Sequence, residues 1–216
     1  MKPSLLVFDL DGTLIDSERD LINAVNAALT HLGREELHDD LVRSYVGDGA
    51  PVLMRRALGE EASEAEQQQA LTYFLAHYRE HMLENTTLYP GVRETLDEFR
   101  ARGIPMAVLT NKPVRFSRDI VKGLGLGGHF FQVYGGNSFE QKKPHRVGID
   151  RLLEESGAER AGAWMIGDSS TDILTAHNAG IRAAGVTYGF KPESLAEAHP
   201  DLLVESFAEL PARLLG

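Results

Sequence analysis

The 216-residue chain contains no cysteine, which excludes a disulfide framework, a thiolate zinc site and a thiol nucleophile together. It has no apolar run approaching the length of a membrane span. Its opening stretch Leu5-Leu6-Val7-Phe8 is interrupted by Asp9 and Asp11 too soon to serve as a signal peptide, so a soluble cytoplasmic protein is expected. There is no Lys/Arg-rich run and the formal net charge is −10. Nucleic acid and membrane are therefore not expected as partners, and local basic residues must handle any phosphate. No internal repeat is evident, and the single tryptophan, Trp164, falls in an apolar stretch and reads as packing.

What is present is 43% apolar sequence, enough for one domain core plus a sizeable insertion. The pattern is first strand, then helix, then alternation. Leu5–Phe8 reads as a buried strand. After it, Ser17-Glu18-Arg19-Asp20 resembles a capping box ahead of a helix with Leu21, Ile22, Val25, Ala28, Leu29 and Leu32 on one face, ending near Gly33. Short helices are expected over Leu41–Val46 and from Pro51 to Leu58. A longer one over Glu64–Leu83 would bury Leu71, Phe74, Leu75, Tyr78 and Met82, with its Glu/Gln stretch solvated. From Tyr89 onward, strands at 104–109, 131–134, 163–166 and 182–186 alternate with helices, which implies an α/β fold with a parallel sheet and helices on both faces. Residues 1–16 and 88–216 then form the core, and residues 17–87 form an inserted helical cap.

Ligands of such sheets bind outside the carboxyl ends of the strands. The first strand ends in Asp9-Leu10-Asp11-Gly12-Thr13, another in Thr110-Asn111-Lys112, and a third in Gly167-Asp168-Ser169-Ser170-Thr171-Asp172, while Lys142-Lys143-Pro144 lies on a loop after the Val133 strand. Each motif alone has a plain alternative. Asp168 or Asp172 could cap a helix, Thr110 could be an ordinary strand-end hydroxyl, and either lysine a solvated loop charge. Asp9 is harder to explain that way, because a carboxylate directly after four apolar strand residues is costly unless a cation joins it. Oxygen ligands suit a hard divalent cation, and a carboxylate can also be a nucleophile.

These four motifs, in this order and at this spacing, resemble the haloacid dehalogenase superfamily of phosphohydrolases across nearly the whole chain. The resemblance implies a Rossmann-like core with a helical cap and Mg2+ as cofactor. It makes Asp9 the nucleophile that becomes an aspartyl-phosphate, and Asp11 the general acid and then base, with a main-chain contact to the metal. Asp9, Asp11 and Asp168 would hold the metal, Thr110, Asn111 and Lys143 would bind phosphate, and Asp172 would support Lys143 or a metal-bound water. Lys143 is preferred over Lys142 because the family lysine precedes the proline.

Within the superfamily, Val42-Arg43-Ser44-Tyr45-Val46-Gly47-Asp48-Gly49 and the following Leu53–Leu58 resemble the cap of bacterial phosphoglycolate phosphatases, as does Asp16-Ser17 through Asp20-Leu21. A small phosphorylated metabolite, 2-phosphoglycolate first, is then the expected substrate, with Gly47, Asp48, Gly49 and Arg55 (and its neighbour Arg56) on the specificity side, in a monomer or homodimer. The family often has tryptophan where this chain has Tyr45 and asparagine where it has Asp48, and the extra negative charge is unhelpful beside an anionic substrate. Asp11 argues against a dehalogenase. Asp20, where a hexose-phosphate mutase would carry its histidine, argues against that enzyme, and the complete motif set argues against a non-catalytic metabolite-binding protein. The family also implies cap motion, with hinges expected near Ile15-Asp16 and Leu88-Tyr89.

Two further patterns read as structure. Gly123–Gly128 satisfies a GxGxxG expression but follows a helix, so helix termination explains it. His77 and His81, at i, i+4 spacing without a zinc-protease glutamate, read as residues bordering an apolar face.

Overall fold

The computed structural model describes residues 2–216. In chain order the elements are β1 (Leu5–Phe8), β2 (Ile15–Asp16), α1 (Glu18–His31), α2 (Asp39–Tyr45), α3 (Ala50–Leu58), α4 (Glu64–His81), β3 (Thr87–Leu88), α5 (Val92–Ala101), β4 (Met106–Leu109), α6 (Val114–Gly123), β5 (Gln132–Tyr134), α7 (Val147–Ser156), β6 (Ala163–Gly167), α8 (Ser170–Ala179), β7 (Arg182–Val186), α9 (Leu195–Ala198), β8 (Leu202–Val204) and α10 (Leu210–Leu215). They separate into two compact units, one made of the segment through Asp16 together with Leu88–Gly216, the other of Ser17–Thr87. No helix among the described residues is long and apolar enough to cross a membrane.

The first unit is built on a six-stranded sheet of order β5-β4-β1-β6-β7-β8, with every pairing parallel. All four residues of β1 are fully buried, so both faces of the central strand are covered, as helical crossovers require. Leu5, Val7, Ala107, Leu109, Ala163, Met165 and Ala183 face one way, packing with Ile149, Leu152 and Leu153 of α7 and Ile173, Ala176 and Ala179 of α8. The alternate residues face the other way, and Phe8 meets the rings of Phe130 and Phe207 there. Each such large apolar side chain contributes ~1.5–3 kcal/mol on burial. Trp164 is buried, with the Arg182 guanidinium 4.4 Å above its ring.

Strand order reverses beside β1. The chain runs outward through β4 and β5, then returns by α7 to place β6 on the opposite side of β1. Register pairs Val7 with Met165 and Phe8 with Ile166, and the Asp9 amide donates to the Ile166 carbonyl at 2.9 Å. The ends of β1 and β6 therefore lie side by side at the reversal, where α/β sheets bind ligands.

The second unit is helical. α1 packs on α4, burying Leu21, Ile22, Val25, Ala28 and Leu29 from one and Ala70, Phe74 and Tyr78 from the other. α4 opens with a capping box in which Ser63 and Glu66 bond reciprocally. Glu66 also accepts from Arg34 at 3.0 Å, and these bonds, the Ser63 amide foremost, pull its carboxyl down to about 2.

Several sequence expectations shift. The capping box at Ser17-Asp20 does not form: Ser17 makes no side-chain capping bond. Asp20 is buried and turns instead to the Asn85 and Thr86 amides and side chains. Leu71 and Leu75 are only half-buried, because Ala70 takes the inward place on α4. The short β3, with β8, α9 and α10, adds elements beyond those the sequence pattern predicts. Gly123 ends α6, and Gly125 takes φ 71 in the turn beyond it.

Candidate active site

The site is assembled from segments that leave the carboxyl ends of β1, β4 and β6, together with the loop after β5. Asp9, directly after β1, is 9% exposed. The chain then turns tightly through Gly12 at φ 79, where a side chain is excluded, since a Cβ there would lie 2.3 Å from Asp168 Oδ2. Asp168, directly after β6, accepts from the Thr13 hydroxyl at 3.2 Å and from the Phe190 amide at 2.7 Å. Gly189 lets that amide approach: a Cβ there would sit 2.3 Å from the Asp168 Cβ and 2.4 Å from the Gly12 carbonyl.

Lys143 stands between the acids. Its Nζ is 2.6 Å from Asp172 Oδ1 and 2.9 Å from Asp9 Oδ1. The contact to Asp9 is one of charge, since no donor is directed along a hydrogen bond at that oxygen. Asp172, in the first turn of α8, also accepts from the Ser169 amide at 3.1 Å and its hydroxyl at 2.7 Å. It is thus a helix cap and a lysine partner at once. Lys142 beside it is exposed. Lys143 precedes a cis peptide bond to Pro144.

Three consecutive residues after β4 each reach a different partner. The Thr110 hydroxyl, buried, accepts from the Lys112 amide at 3.3 Å. The Asn111 side chain donates to the Lys143 carbonyl at 3.2 Å, so it braces the lysine loop as well as flanking the site. Lys112 donates to both carboxylate oxygens of Asp11, at 2.9 and 3.1 Å, and is itself only 6% exposed.

The electrostatics are unbalanced. Burial pushes the Asp168 carboxyl up to about 8, and the neighbouring Asp172 and Asp9 charges add to the rise. Burial likewise raises Asp9, Lys143 pulls it back and Asp172 adds to the rise, leaving it at about 6. Burial disfavours the Lys143 ammonium, but Asp172 and Asp9 outweigh it and hold the lysine above its ordinary range. Four carboxylates, those of Asp9, Asp11, Asp168 and Asp172, face two ammonium groups. Asp9, Asp168 and Asp172 each offer an oxygen within 4.8 Å of the others. An all-oxygen donor set short of two positive charges fits a hard divalent cation. Asp172 is already committed to Lys143 and Ser169, which leaves Asp9 and Asp168 as the side chains to hold it.

Two contributors carry no sequence signal of chemistry. Lys112 looks like a loop charge. The Thr187–Phe190 segment after β7 acts mainly through its backbone and through the Tyr188 hydroxyl, which donates to the Thr13 carbonyl at 2.7 Å. The one hint in the sequence is position: Thr187 and Tyr188 follow β7 directly, as Asp9, Thr110 and Asp168 follow β1, β4 and β6.

The residues named for specificity belong to the helical unit. Gly47 and Gly49 take φ 120 and 88, and Gly49 leads into α3. Asp48 is paired with Arg56 at 2.7 Å, so its charge is offset within its own unit. Arg56 also donates to the Tyr45 carbonyl at 3.2 Å, while Arg55 is exposed. His77 and His81 lie ring against ring at 4.3 Å, with His81 Nδ1 2.7 Å from Glu84.

The chain matches the family model for haloacid dehalogenase-like hydrolases over residues 6–186. It is 38% identical over 213 residues to a phosphoglycolate phosphatase of Vibrio parahaemolyticus, covering 95% of this chain and 93% of that one. It is 39% identical over 209 residues to a phosphoglycolate phosphatase of Chromobacterium violaceum, with the same coverage. Among solved structures it is similar to a protein from Haemophilus somnus described as a predicted phosphoglycolate phosphatase, with a TM-score of 0.93, 33% identity, and coverage of 99% and 98%.

Proposed function

Because the chain belongs to the haloacid dehalogenase-like hydrolase family and is a phosphatase, we propose that it hydrolyses a small phosphomonoester through an aspartyl-phosphate on Asp9, with Mg2+ as its cofactor and 2-phosphoglycolate as its substrate. The single observation that supports this best is the enclosed group of Asp9, Asp11, Asp168 and Asp172 with Lys112 and Lys143, two positive charges short of neutrality at the ends of the central strands.

Asp9 attacks phosphorus as its bond to the ester oxygen breaks, and Asp11 gives a proton to the departing oxygen. Water then attacks the phosphoenzyme, the Asp9 oxygen–phosphorus bond breaks, and Asp11 takes a proton from that water. The alcohol and hydrogen phosphate are the products, and Asp11 returns to its starting state. Thr110 and Lys143 bind the transferring phosphoryl oxygens. Removing one such donor costs about 10²–10³ in rate. Asp172 keeps the Lys143 ammonium in place, and Asn111 holds that lysine's backbone. Mg2+, held by the Asp9 and Asp168 carboxylates and the Asp11 main chain, would offset the repulsion between the nucleophile and a phosphate dianion.

The assignment of 2-phosphoglycolate draws on the curated relatives, which carry that substrate in their names. It is consistent with the pairing of Asp48 to Arg56, which removes the objection that an unpaired negative charge would stand in the specificity loop. Gly47, Asp48, Gly49 and Arg55 are the positions we assign to recognition of the substrate's carboxylate, through the backbone leading into α3 and the Arg55 charge.

The test is phosphate release from 2-phosphoglycolate beside sugar phosphates, nucleotides and pyrophosphate, with Mg2+ and with EDTA. Strong Mg2+-dependent preference for 2-phosphoglycolate is expected. Preference for another ester would discard the substrate and keep the chemistry, whereas turnover surviving in Asp9→Asn would discard the nucleophile.

A further inference from the structure

We propose that Lys112 is a positioning residue of this reaction, fixing the Asp11 carboxylate for its two proton transfers. The inference rests on the acid–base reading of Asp11 given above.

Lys112 reaches Asp11 across the ends of two neighbouring strands, since β4 pairs directly with β1. Its ammonium lies 2.9 Å from one oxygen of Asp11 and 3.1 Å from the other. An ammonium shared by both oxygens holds the carboxylate in place and aims its Cβ–Cγ bond at the charge, which a contact to one oxygen does not. Lys112 is buried and Asp11 partly so, with side-chain exposures of 5% and 15%. Bulk water therefore screens the pair less than it would an exposed one, and loss of the cation would remove the charge that holds this carboxylate at its present position.

The lysine is itself held. Its amide donates to the Thr110 hydroxyl and its carbonyl accepts from the Gly136 amide at 2.9 Å. Gly135 and Gly136 admit no side chain, because a Cβ on the first would lie 2.5 Å from the Lys112 carbonyl oxygen and on the second 2.3 Å from that of Asn111. With the backbone pinned, the stem of Lys112 delivers its charge to one place. A general acid or base must lie within hydrogen-bond reach of the atom it serves, and a displacement of about 1 Å costs on the order of 10²-fold in rate. Lys112 acts through Asp11 and need not touch substrate.

The two proton transfers make this testable. An alkoxide such as glycolate leaves only if protonated, whereas p-nitrophenolate leaves without a proton. Both substrates share the second step, in which Asp11 takes a proton from water. For Lys112→Met, kcat on 2-phosphoglycolate should fall about 10²-fold with KM changed by no more than about two-fold. On p-nitrophenyl phosphate the first turnover should stay close to the parent rate while later turnovers slow, so that a burst of p-nitrophenolate appears. Lys112→Arg should recover much of the loss, and Lys112→Gln stands in for Met if that variant does not fold.

A raised KM at unchanged kcat would overturn the proposal in favour of direct substrate binding. A lowered Tm with normal kinetics would overturn it in favour of packing alone. Asp11→Asn, run alongside, separates the two levels. If it bursts with p-nitrophenyl phosphate and the Lys112 variants do not, Lys112 is misassigned. If Asp11→Asn shows no burst and no greater loss with the alkyl ester, the acid–base reading of Asp11 has itself failed.

Discussion

Each unit of this molecule buries acid, and the two do so on opposite terms. In the helical unit Asp20 is 1% exposed, and both of its oxygens are saturated. Oδ1 accepts from the Asn85 amide and side chain at 3.1 and 2.7 Å, and Oδ2 from the Thr86 amide and hydroxyl at 2.9 and 2.8 Å. In the sheet unit Asp168 and Asp9 are also buried, yet one Asp9 oxygen receives no directed donor, and like charges crowd both groups. Burying a carboxylate is tolerable when neutral donors take over the work of water, and Asp20 is then a structural fastening between the start of α1 and the segment after α4. A carboxylate left short of donors and of positive charge is a group waiting for a ligand.

Asp9→Asn is the hardest test of this difference. Turnover should drop by on the order of 10⁴-fold or more, as for loss of a nucleophile, while the Mg2+-free protein melts at a higher temperature than the parent because one crowding charge is gone. Asp20→Ala should do the reverse to stability, leaving several buried donors without an acceptor and costing roughly 2–4 kcal/mol by urea denaturation. Equal signs for the two variants in thermal melting would erase the distinction.

The next effect is linkage to pH. Asp168 at about 8 and Asp9 at about 6 both lie above the ordinary value of 3.8, so their charged forms are less favourable in the folded chain than in the unfolded one. Their contribution is least unfavourable below the ordinary carboxylate value and worsens as pH rises, the loss completing above the folded values. Without Mg2+ the Tm should therefore fall between pH 6 and pH 8, and Mg2+ should restore more of it at pH 8. Asp168→Asn should flatten that slope, and a slope unchanged in this variant would show that another group sets it. Each pKa unit corresponds to ~1.4 kcal/mol, so the effect is readable by calorimetry. The smallest expectation concerns exposed Arg55, whose replacement by Ala should raise KM for 2-phosphoglycolate no more than about five-fold, the size of an exposed charge contact. Unchanged KM would remove Arg55 from the recognition surface.

These two kinds of buried acid differ in how far they can be read ahead of the fold. Asp9 and Asp168 announce themselves because each ends an apolar strand, and the strand pattern alone brings them to one edge. Lys143 follows from its place before Pro144. Asp20 looked like part of a capping box because its true partners, Asn85 and Thr86, lie more than sixty positions away. Lys112 was hidden for a different reason, since a lysine after a strand is usually solvated and only the pairing of β4 with β1 directs it at Asp11. The Thr187–Phe190 segment contributes through the Phe190 amide, which has no letter of its own in a sequence, and through the Tyr188 hydroxyl, whose partner lies 175 positions away. β8 is entirely apolar but only three residues long, and so brief a run does not distinguish a strand from other structure.

The bond from the Tyr188 hydroxyl to the Thr13 carbonyl spans 175 positions of chain, and the Phe190 amide closes on Asp168 in the same place. On a ribosome, the first motif is thus exposed to the cell long before its last fastening has been synthesised. A nascent chain that has released Asp9 but not yet Phe190 carries that acid without the finished frame around it. Synthesis therefore delivers the two acids in order, and the fastening of the second waits on a segment made 22 residues after it.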